Sequence, residues 1–255
     1  GPLNVHVHID TGMGRLGISP DEVSDVLHRL DRMKGIQIAG ISTHFAHVGH
    51  LDSPYTDQQW RQFKAVLDEF GSPPAPVHVA SSGALFAAPK SINPGIVSQA
   101  RLGIGLYGLL DAPPIVLDMS FRPVMTLRSE VAHVKTVERG TPISYNGKWT
   151  APRRTKIATV AAGYADGYPR MLTNRAKVGL QGALYPVVGT VCMDLFMVDL
   201  GPEAAETNSI VPGDAVILFG ENGPSAIETA RLAETIPYEI VCGVSDRVER
   251  VYING

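Results

Sequence analysis

Two chemically active side chains follow short β-rich runs near the start of the chain. Arg15 lies in a glycine-rich turn after the run 5–9. His44 follows a second run, 36–43. A guanidinium can bind a carboxylate or phosphate, and an imidazole can move protons near neutral pH. If both runs are parallel strands, these side chains lie at one carboxyl edge, where α/β barrels place catalytic groups. A second role stays open for Arg15, which could pair with Asp10 and only fix the turn.

Small residues follow two later runs of the same kind. Ser82 lies at a strand-to-helix junction, and Gly103 and Ile104 come after the fourth run. Backbone amides of small residues at such places can bind a phosphate. The alternative for Ser82 is an N-cap of the helix that it begins.

The second half of the chain contains two further candidates. Tyr164 stands in a glycine-rich turn after the run 155–161, and Met193 follows the run 187–191. A tyrosine in a turn is usually a surface residue, so spacing alone does not make Tyr164 a base.

Three histidines at spacings of three resemble a metal cluster. His44, His47 and His50 have no second carboxylate or thiolate group at ligand spacing. A tetrahedral zinc site needs such ligands, so we expect no metal.

The elements that must position these residues alternate in type over the first 110 residues. Short β-rich runs are followed by amphipathic segments, which is typical of a parallel α/β sheet. One helix is predicted from Ser19-Pro20, with serine as its cap, and a second from Ser53-Pro54 to Gly71. The predicted strands are 5–9, 36–43, 77–79 and 96–100.

The pattern changes after residue 114. Helical periodicity gives way to short valine-rich runs between glycine and proline turns, which indicates an all-β domain. We place the boundary near Met119, with domains 1–118 and 119–255. The runs predicted as strands are 129–137, 155–161, 187–191, 197–200 and 215–219, with a helix over 226–234.

Four strand and helix units amount to half of a (β/α)₈ TIM barrel, which typically needs about 250 residues by itself. Half a barrel would leave two unpaired strand edges. The sequence therefore predicts either an open sheet or the C-terminal half of a barrel whose first half is absent, followed by a mostly β-strand domain.

Composition excludes several classes of partner. The 255 residues carry a formal net charge of −3, with scattered basic residues, which argues against a nucleic-acid surface or a basic membrane anchor. No apolar run approaches the roughly 20 residues of a membrane helix. Two distant cysteines favour a reducing interior. We expect a cytoplasmic protein with small-molecule partners, no nucleic acid and no membrane.

Five motifs in one order resemble the pyridoxal-phosphate (PLP) alanine racemase family. They are DTGMGRLG at 10–17, THFA at 43–46, RLGIGLYG at 101–108, GYADG at 163–167 and GTVCMD at 189–194. The resemblance covers the whole chain and implies the second half of a PLP-binding barrel plus a C-terminal β domain. It also implies a PLP-dependent isomerase that interconverts L- and D-alanine, which supplies D-alanine for bacterial peptidoglycan.

The resemblance assigns catalytic roles to three residues. Tyr164 matches the phenol that acts as one of two bases, and His44 matches its partner. Because a phenol has an ordinary pKa near 10, it needs neighbours that stabilise phenolate. Arg101 matches the arginine that faces the pyridine nitrogen and limits side reactions.

Binding roles follow from the same resemblance. Arg15 matches the arginine near the cofactor's phenolic oxygen and the substrate carboxylate, and the Met193 amide matches a second carboxylate contact. Ser82, Gly103 and Ile104 match phosphate-binding positions. The family forms a head-to-tail homodimer, so Tyr164 and Met193 would act in the partner's barrel.

Three positions depart from the family pattern. The motif of the Schiff-base lysine is absent, and none of the seven lysines present has its context. His8 stands where many members have a carbamylated lysine that holds the arginine. Ser245-Asp246-Arg247 replaces a stretch with a tyrosine whose hydroxyl often reaches the phosphate, and the charge of Asp246 would repel a phosphate.

These departures from the family pattern leave two other functions open. Asp246 would fit a serine or broad-specificity racemase. Without its lysine, the chain would fit a non-catalytic PLP-binding or dimerisation module. Because two bases are needed on opposite faces of the substrate, the segment alone is expected to be inactive.

Overall fold

The computed structural model describes residues 1–48, 53–69, 75–87, 95–110, 121–202 and 209–253. The chain forms two compact units. The first, termed the α/β unit, comprises residues 1–106 and 110–121; the second, termed the β-rich unit, comprises residues 107–109 and 122–255. The expected boundary near Met119 lies outside the described residues, so the division into 1–118 and 119–255 stays a prediction.

The α/β unit contains a parallel four-stranded sheet in the order β1-β2-β3-β4. This confirms the four predicted strands. The strands are β1 (Leu3–His8), β2 (Ile36–Ser42), β3 (Val77–Ser81) and β4 (Val97–Arg101). The helices of this unit are α1 (Val23–Asp31), α2 (Pro54–Glu69) and α3 (Ser82–Ala87).

Alternation along β1 separates the core from the polar face. Val7 and Ile9 are buried in one apolar cluster that also contains Leu27 of α1 and Phe63 of α2. Successive side chains of a strand point to opposite faces, so the histidines of β1 lie on the other side. The sheet therefore has a helix-covered face and a histidine-bearing face.

The helix starts differ in detail from the prediction. Pro20 opens a short 3₁₀ turn before α1, as expected, but the Ser19 hydroxyl donates to the Asp21 carboxylate and does not cap a backbone amide. The second helix begins at Pro54. Its predicted end at Gly71 lies outside the described residues.

The β-rich unit is built around a closed antiparallel barrel in the order β10-β11-β8-β5-β12-β9. Its strands are β5 (Leu127–Val137), β8 (Thr155–Val160), β9 (Lys177–Leu180), β10 (Ala183–Val188), β11 (Phe196–Gly201) and β12 (Ala215–Phe219). A hairpin of β6 (Pro142–Ile143) and β7 (Trp149–Thr150) and the helices α4 (Ala226–Leu232) and α5 (Pro237–Cys242) complete it.

Every strand predicted for this half has a counterpart, although β10 begins and ends earlier than the predicted run 187–191. The β6-β7 hairpin, β9 and α5 were not predicted. Two-residue strands carry no periodicity, and their pairing depends on distant residues. The barrel core includes Ile157 and Phe196, and Tyr168 stacks on Phe196 with ring centroids 4.8 Å apart.

No described helix combines the length and apolar character that crossing a membrane requires.

The β9-β10 hairpin offers a matched test of the barrel core. Leu180 is 1% exposed, whereas Leu184 is 50% exposed. Leu180→Ala should lower the free energy of unfolding by about 2 to 5 kcal/mol, because it leaves a cavity. Leu184→Ala should change it by less than about 0.5 kcal/mol. Urea unfolding of the full-length protein measures both, and equal losses would contradict this barrel.

Candidate active site

The carboxyl ends of the four parallel strands bring the sequence candidates of the α/β unit to one edge of the sheet. β1 leads into the turn with Arg15, and β2 leads into His44. Ser82 follows β3, and Arg101 ends β4. This edge is where ligands bind in open parallel sheets.

Arg101 is half-buried and is held by neutral acceptors. Its Nη1 donates to His78 Nδ1 at 2.6 Å and to the His78 carbonyl at 2.9 Å. Its Nη2 donates to the Thr43 carbonyl at 2.8 Å, to His44 Nδ1 at 3.0 Å and to the Val79 carbonyl at 3.2 Å. Within the described residues no carboxylate pairs with it, and its Nε makes no hydrogen bond. The guanidinium therefore offers charge and a donor to a ligand.

These bonds determine the protonation of the neighbouring histidines. An arginine N–H can only donate, so the Nδ1 atoms of His44 and His78 are acceptors and the proton of each neutral ring is on Nε2. His78 Nε2 then donates to His6 Nδ1 at 2.7 Å. A hydrogen-bonded chain thus runs from Arg101 through His78 to His6.

Burial and nearby cations favour the neutral forms of His78 and His44. Burial, Arg101 and the neighbouring histidines lower the pKa of His78 to about 4. Burial, then Arg101 and Arg15, also lowers the pKa of His44. A neutral His44 can accept from Arg101, which a protonated ring could not do.

The sheet is locally irregular where two of these histidines lie. The β1-β2 register shifts between Val5 and His6, and the β3-β4 register shifts on both sides of His78. A Cβ on Gly40 of β2 would overlap the imidazole of His6. Bulges and a glycine therefore make room for the His6–His78 contact.

Ser82 contacts the glycine-rich turn after β4. Its Oγ accepts from the amides of Gly103 at 2.9 Å and Gly105 at 3.1 Å. Ile104, between them, begins a short 3₁₀ turn, where backbone N–H groups lack intrahelical acceptors. The amide of Ala84 in α3 instead donates to Ser81 Oγ. Ser81, and not Ser82, therefore caps this helix. Ser82, Gly103 and Ile104 lie together and are termed the polar cradle.

Asp10 orders the turn that carries Arg15 without pairing with it. Its carboxylate accepts from the amides of Gly12, Met13 and Gly14 at 2.8 to 3.1 Å. The amides of Gly12 and Gly14 lower the pKa of Asp10. Arg15 is exposed, and the Asp10–Arg15 ion pair that the sequence left open is absent among the described residues.

His8 lies near this turn as a neutral group. Its Nδ1 is 2.9 Å from Ser42 Oγ. Burial, followed by Arg101, lowers its pKa and favours the neutral ring. An imidazole is not an anion in its neutral or its protonated form, so His8 cannot hold Arg15 by negative charge.

The expected absence of a metal rested on the spacing of His44, His47 and His50. His44 is bonded to Arg101, and His47 Nδ1 lies 3.2 Å from Ser53 Oγ. His50 lies outside the described residues, and among those described no group of three metal-ligating side chains comes together.

Tyr164 and Met193 lie side by side in the β-rich unit. The amide of Tyr164 donates to the Cys192 carbonyl, and that of Ala165 to the Met193 carbonyl, both at 3.0 Å. A Cβ on Gly163 would overlap these two carbonyls, so this approach requires glycine. Tyr164 also lines an open cleft of about 370 Å³ with Arg170 and Glu239.

A second tyrosine flanks the same segment and was not singled out from the sequence. Tyr145 is 69% exposed, compared with 44% for Tyr164. The Ser144 hydroxyl donates to the Thr190 carbonyl at 2.9 Å, and the Thr190 hydroxyl donates to the Tyr145 carbonyl at 3.1 Å. Segment 190–193 therefore has a phenol-bearing loop on each side.

The backbone around Tyr145 is strained. Ser144 has φ 63° and ψ −175°, a region that is essentially confined to glycine, and Asn146 has φ 61°. Such strain concentrates at functional sites. The only sequence signal was a tyrosine between polar turn residues, in Ser144-Tyr145-Asn146-Gly147.

Family models match both halves of the chain. One described as "Alanine racemase, N-terminal domain" matches residues 1–111, and one described as "Alanine racemase, C-terminal domain" matches residues 124–252. The chain belongs to the alanine racemase family.

Similar proteins carry the same family name. The alanine racemase of Halothermothrix orenii is 40% identical over 98% of this chain and 65% of its own length. That of Chlorobaculum tepidum is 42% identical over 98% of this chain and 64% of its own length. The chain thus spans slightly less than two thirds of these alanine racemases.

Solved alanine racemases share the fold. That of Clostridium difficile 630 has a TM-score of 0.87 at 37% identity, over 99% of this chain and 65% of that one. That of Streptomyces lavendulae has a TM-score of 0.88 at 32% identity, over 100% of this chain and 67% of that one. The expected resemblance is confirmed, as is a fold that joins parallel α/β elements to a β-rich domain.

The histidines around Arg101 predict how stability depends on pH. The folded state disfavours protonated His78, whereas an unfolded chain protonates histidine near pH 6.5. His78 should therefore not reduce the free energy of unfolding above about pH 6.5. Below that pH the free energy of unfolding should fall, until the pH reaches about 4, the pKa of folded His78. His78→Gln should make this fall shallower. Urea unfolding between pH 7 and pH 4.5 measures it, and unchanged pH dependence in the variant would count against the assigned network.

Proposed function

We propose that the full-length protein is a PLP-dependent racemase that interconverts L- and D-alanine. The observation that carries this proposal is the half-buried Arg101, which neutral acceptors hold beside the cradle of Ser82, Gly103 and Ile104. Membership in the alanine racemase family supports it. In this proposal the α/β unit is the C-terminal half of a (β/α)₈ barrel, and residues 119–255 form the β domain.

The donors present fit PLP at two of its ends. The Ser82 hydroxyl and the Ile104 amide would hold the phosphate, joined by the Gly103 amide once the phosphate replaces Ser82 Oγ as its acceptor. Arg101 would donate to the pyridine nitrogen. When bound, PLP supplies an electron-withdrawing ring that makes the α-hydrogen of an amino acid acidic. Arg101 stays cationic, so it leaves the ring nitrogen without a proton and limits electron withdrawal into the ring. That restraint favours racemisation over transamination.

The lysine that the cofactor needs is not among the described residues of this edge. Lys34 precedes β2 and so lies at the amino end of the strands, and Lys64 pairs with Asp68 on the surface of α2. Lys90 lies outside the described residues. In this proposal the lysine therefore comes from outside the described residues of this edge, and the 255-residue segment alone is inactive.

The β-rich unit supplies the second base in this proposal. A hydrogen removed from one face of the substrate must be returned to the other, which requires two proton-transferring groups. Tyr164 has this role by resemblance to the family, with His44 as its partner. Tyr145 is the other candidate for this role, because its loop is strained and its side chain is exposed. The strain favours Tyr145, and Tyr164 would then border the entrance to the site.

Substrate binding completes the assignment. Arg15 and the Met193 amide would bind the substrate carboxylate, and Arg15 would also approach the phenolic oxygen of PLP. Because Met193 and both tyrosines belong to the β-rich unit, they would act in the barrel of a partner in a homodimer. Membership in the alanine racemase family supports a small amino acid as the substrate class.

Serine or a broader substrate set remains the second candidate. Asp246 is exposed, while the adjacent Arg247 bonds Asp166 at 2.7 Å and Asp194 at 2.6 Å. An anion at this loop favours a polar substrate over alanine if it faces the site. Activity on a panel of L-amino acids separates the two candidates. A non-catalytic PLP-binding module predicts no turnover on any of them.

Paired substitutions distinguish the two tyrosines. Tyr145→Phe should lower proton abstraction from one alanine enantiomer by about 10² to 10⁴-fold, because it removes a general base. Exchange of the α-deuterium from the other enantiomer should be retained. Tyr164→Phe should have the smaller effect. The measurement is α-deuterium exchange of each enantiomer, and a larger, one-sided loss in Tyr164→Phe would return the role to Tyr164.

Subunit mixing tests the shared site. One inactive variant at Arg101 and one at the catalytic tyrosine should complement when their subunits exchange, because one site of each mixed dimer then has both groups. Recovery should reach at most about a quarter of normal, since random exchange makes about half the dimers mixed. Absence of recovery after verified exchange would place both groups in the same chain's site.

A further inference from the structure

Gln59 is a buried polar residue in the core-facing stripe of α2. It is 0% exposed, as is Phe63 one turn later. The neighbouring stripe positions Val66 and Leu67 are apolar and buried. A leucine or methionine at position 59 would match this pattern, whereas a buried amide is destabilising unless its donors and acceptor are bonded.

The Gln59 amide bonds to the strand end that carries His44. Its Oε1 accepts from the Ala46 amide at 2.9 Å, and its Nε2 donates to the His44 carbonyl at 3.0 Å. These two bonds flank Phe45, whose side chain is buried. The amide therefore binds this segment as a neighbouring strand would, although β2 has ended at Ser42.

The same amide also reaches the turn that carries Arg15. Gln59 Nε2 lies 3.5 Å from Thr11 Oγ1, and Thr11 Oγ1 lies 2.7 Å from Thr43 Oγ1. Both threonines are buried. The carbonyl of Thr43 in turn accepts from Arg101. One buried side chain therefore connects the turn after β1 with the segment after β2, and both meet at Arg101.

We propose that Gln59 is a positioning residue that holds the Arg15 turn and the His44 segment in one fixed geometry around Arg101. Its part in catalysis rests on the proposed racemase function. The contacts of Gln59 are to the segments on which Arg15 and His44 lie, so it acts through them and does not touch the substrate. Small displacements of such groups reduce turnover strongly.

Gln59→Met in the full-length protein removes the amide and keeps a similar volume. The matched control is Phe63→Leu, which weakens the packing of the same helix but removes no hydrogen bond to either segment. Hydrogen–deuterium exchange of the cofactor-free protein should speed up in residues 43–48 and 10–18 for Gln59→Met. Phe63→Leu should not speed it there selectively. Equal changes in both variants would overturn the proposal.

Thr11→Val provides a milder variant if Gln59→Met does not fold. It removes the hydroxyl that joins the Arg15 turn to Gln59 and Thr43 and keeps the side-chain shape. Exchange should then speed up in residues 10–18 and stay nearer the wild-type rate in residues 44–48, which Gln59 still binds through His44 and Ala46. Unchanged exchange in the turn would contradict the connection.

Turnover gives the second readout, at a temperature where the variants are folded. Gln59→Met should lower kcat for alanine about 10 to 100-fold. Phe63→Leu should stay within about 2-fold of wild type, and equal losses in the two would assign Gln59 a packing role only. A wild-type protein that racemises no amino acid would refute the proposed function, whereas the exchange measurement would still decide the positional role of Gln59.

Discussion

The half-buried positive charge of Arg101 is the constraint on which the carboxyl edge of the α/β unit depends. Its partners are two histidine nitrogens and three backbone carbonyls, all of which are neutral acceptors. A protonated histidine could not accept from it, so the surrounding imidazoles must stay neutral. Burial and the nearby cations accordingly lower the pKa values of His8, His44 and His78. Burial and Arg15 also lower the pKa of Arg101 itself, which shows that its charge has little local compensation.

The geometry of the strands follows from this requirement. Arg101 binds the carbonyl of Thr43, just beyond β2, and that of Val79 within β3, so both strands must approach the end of β4 here. The register shifts at His6 and His78 and the missing side chain of Gly40 allow two imidazoles to meet on the same face. Gln59 then stabilises the segments beyond the strands, where no ladder hydrogen bonds are available. Regular strand pairing brings the site residues to one edge, and the register shifts and buried polar side chains determine their contacts.

In the β-rich unit, a glycine and a strained loop likewise position a segment that lies outside the regular strands. Its closed barrel leaves the segment 190–193 to be held by the loops on either side of it. Gly163 allows Tyr164 to approach the carbonyls of Cys192 and Met193, while Ser144 adopts a backbone conformation that costs about 1 to 3 kcal/mol. A rigid barrel can maintain that strain because the surrounding bonds over-determine it. The loops of both tyrosines are therefore bonded to segment 190–193, and both phenols are exposed.

Local sequence patterns determined much of this protein. Alternation in β1 and the amphipathic stripe of α2 predicted the strand, the helix and their buried faces. Because parallel strands end at one edge, the sequence also predicted that Arg15 and His44 lie together, whereas Arg101 was assigned by the family resemblance. The local patterns did not determine which groups form hydrogen bonds with each other. Asp10 binds three amides and not Arg15, Ser81 and not Ser82 caps α3, and Tyr145 became a candidate through a strained loop and a bond to Thr190, 45 positions away. Periodicity reports which face of an element is apolar, since that depends on residues within a few positions. Hydrogen-bond partners depend on register, bulges and packing between segments that are distant in sequence, and only the tertiary structure decides them.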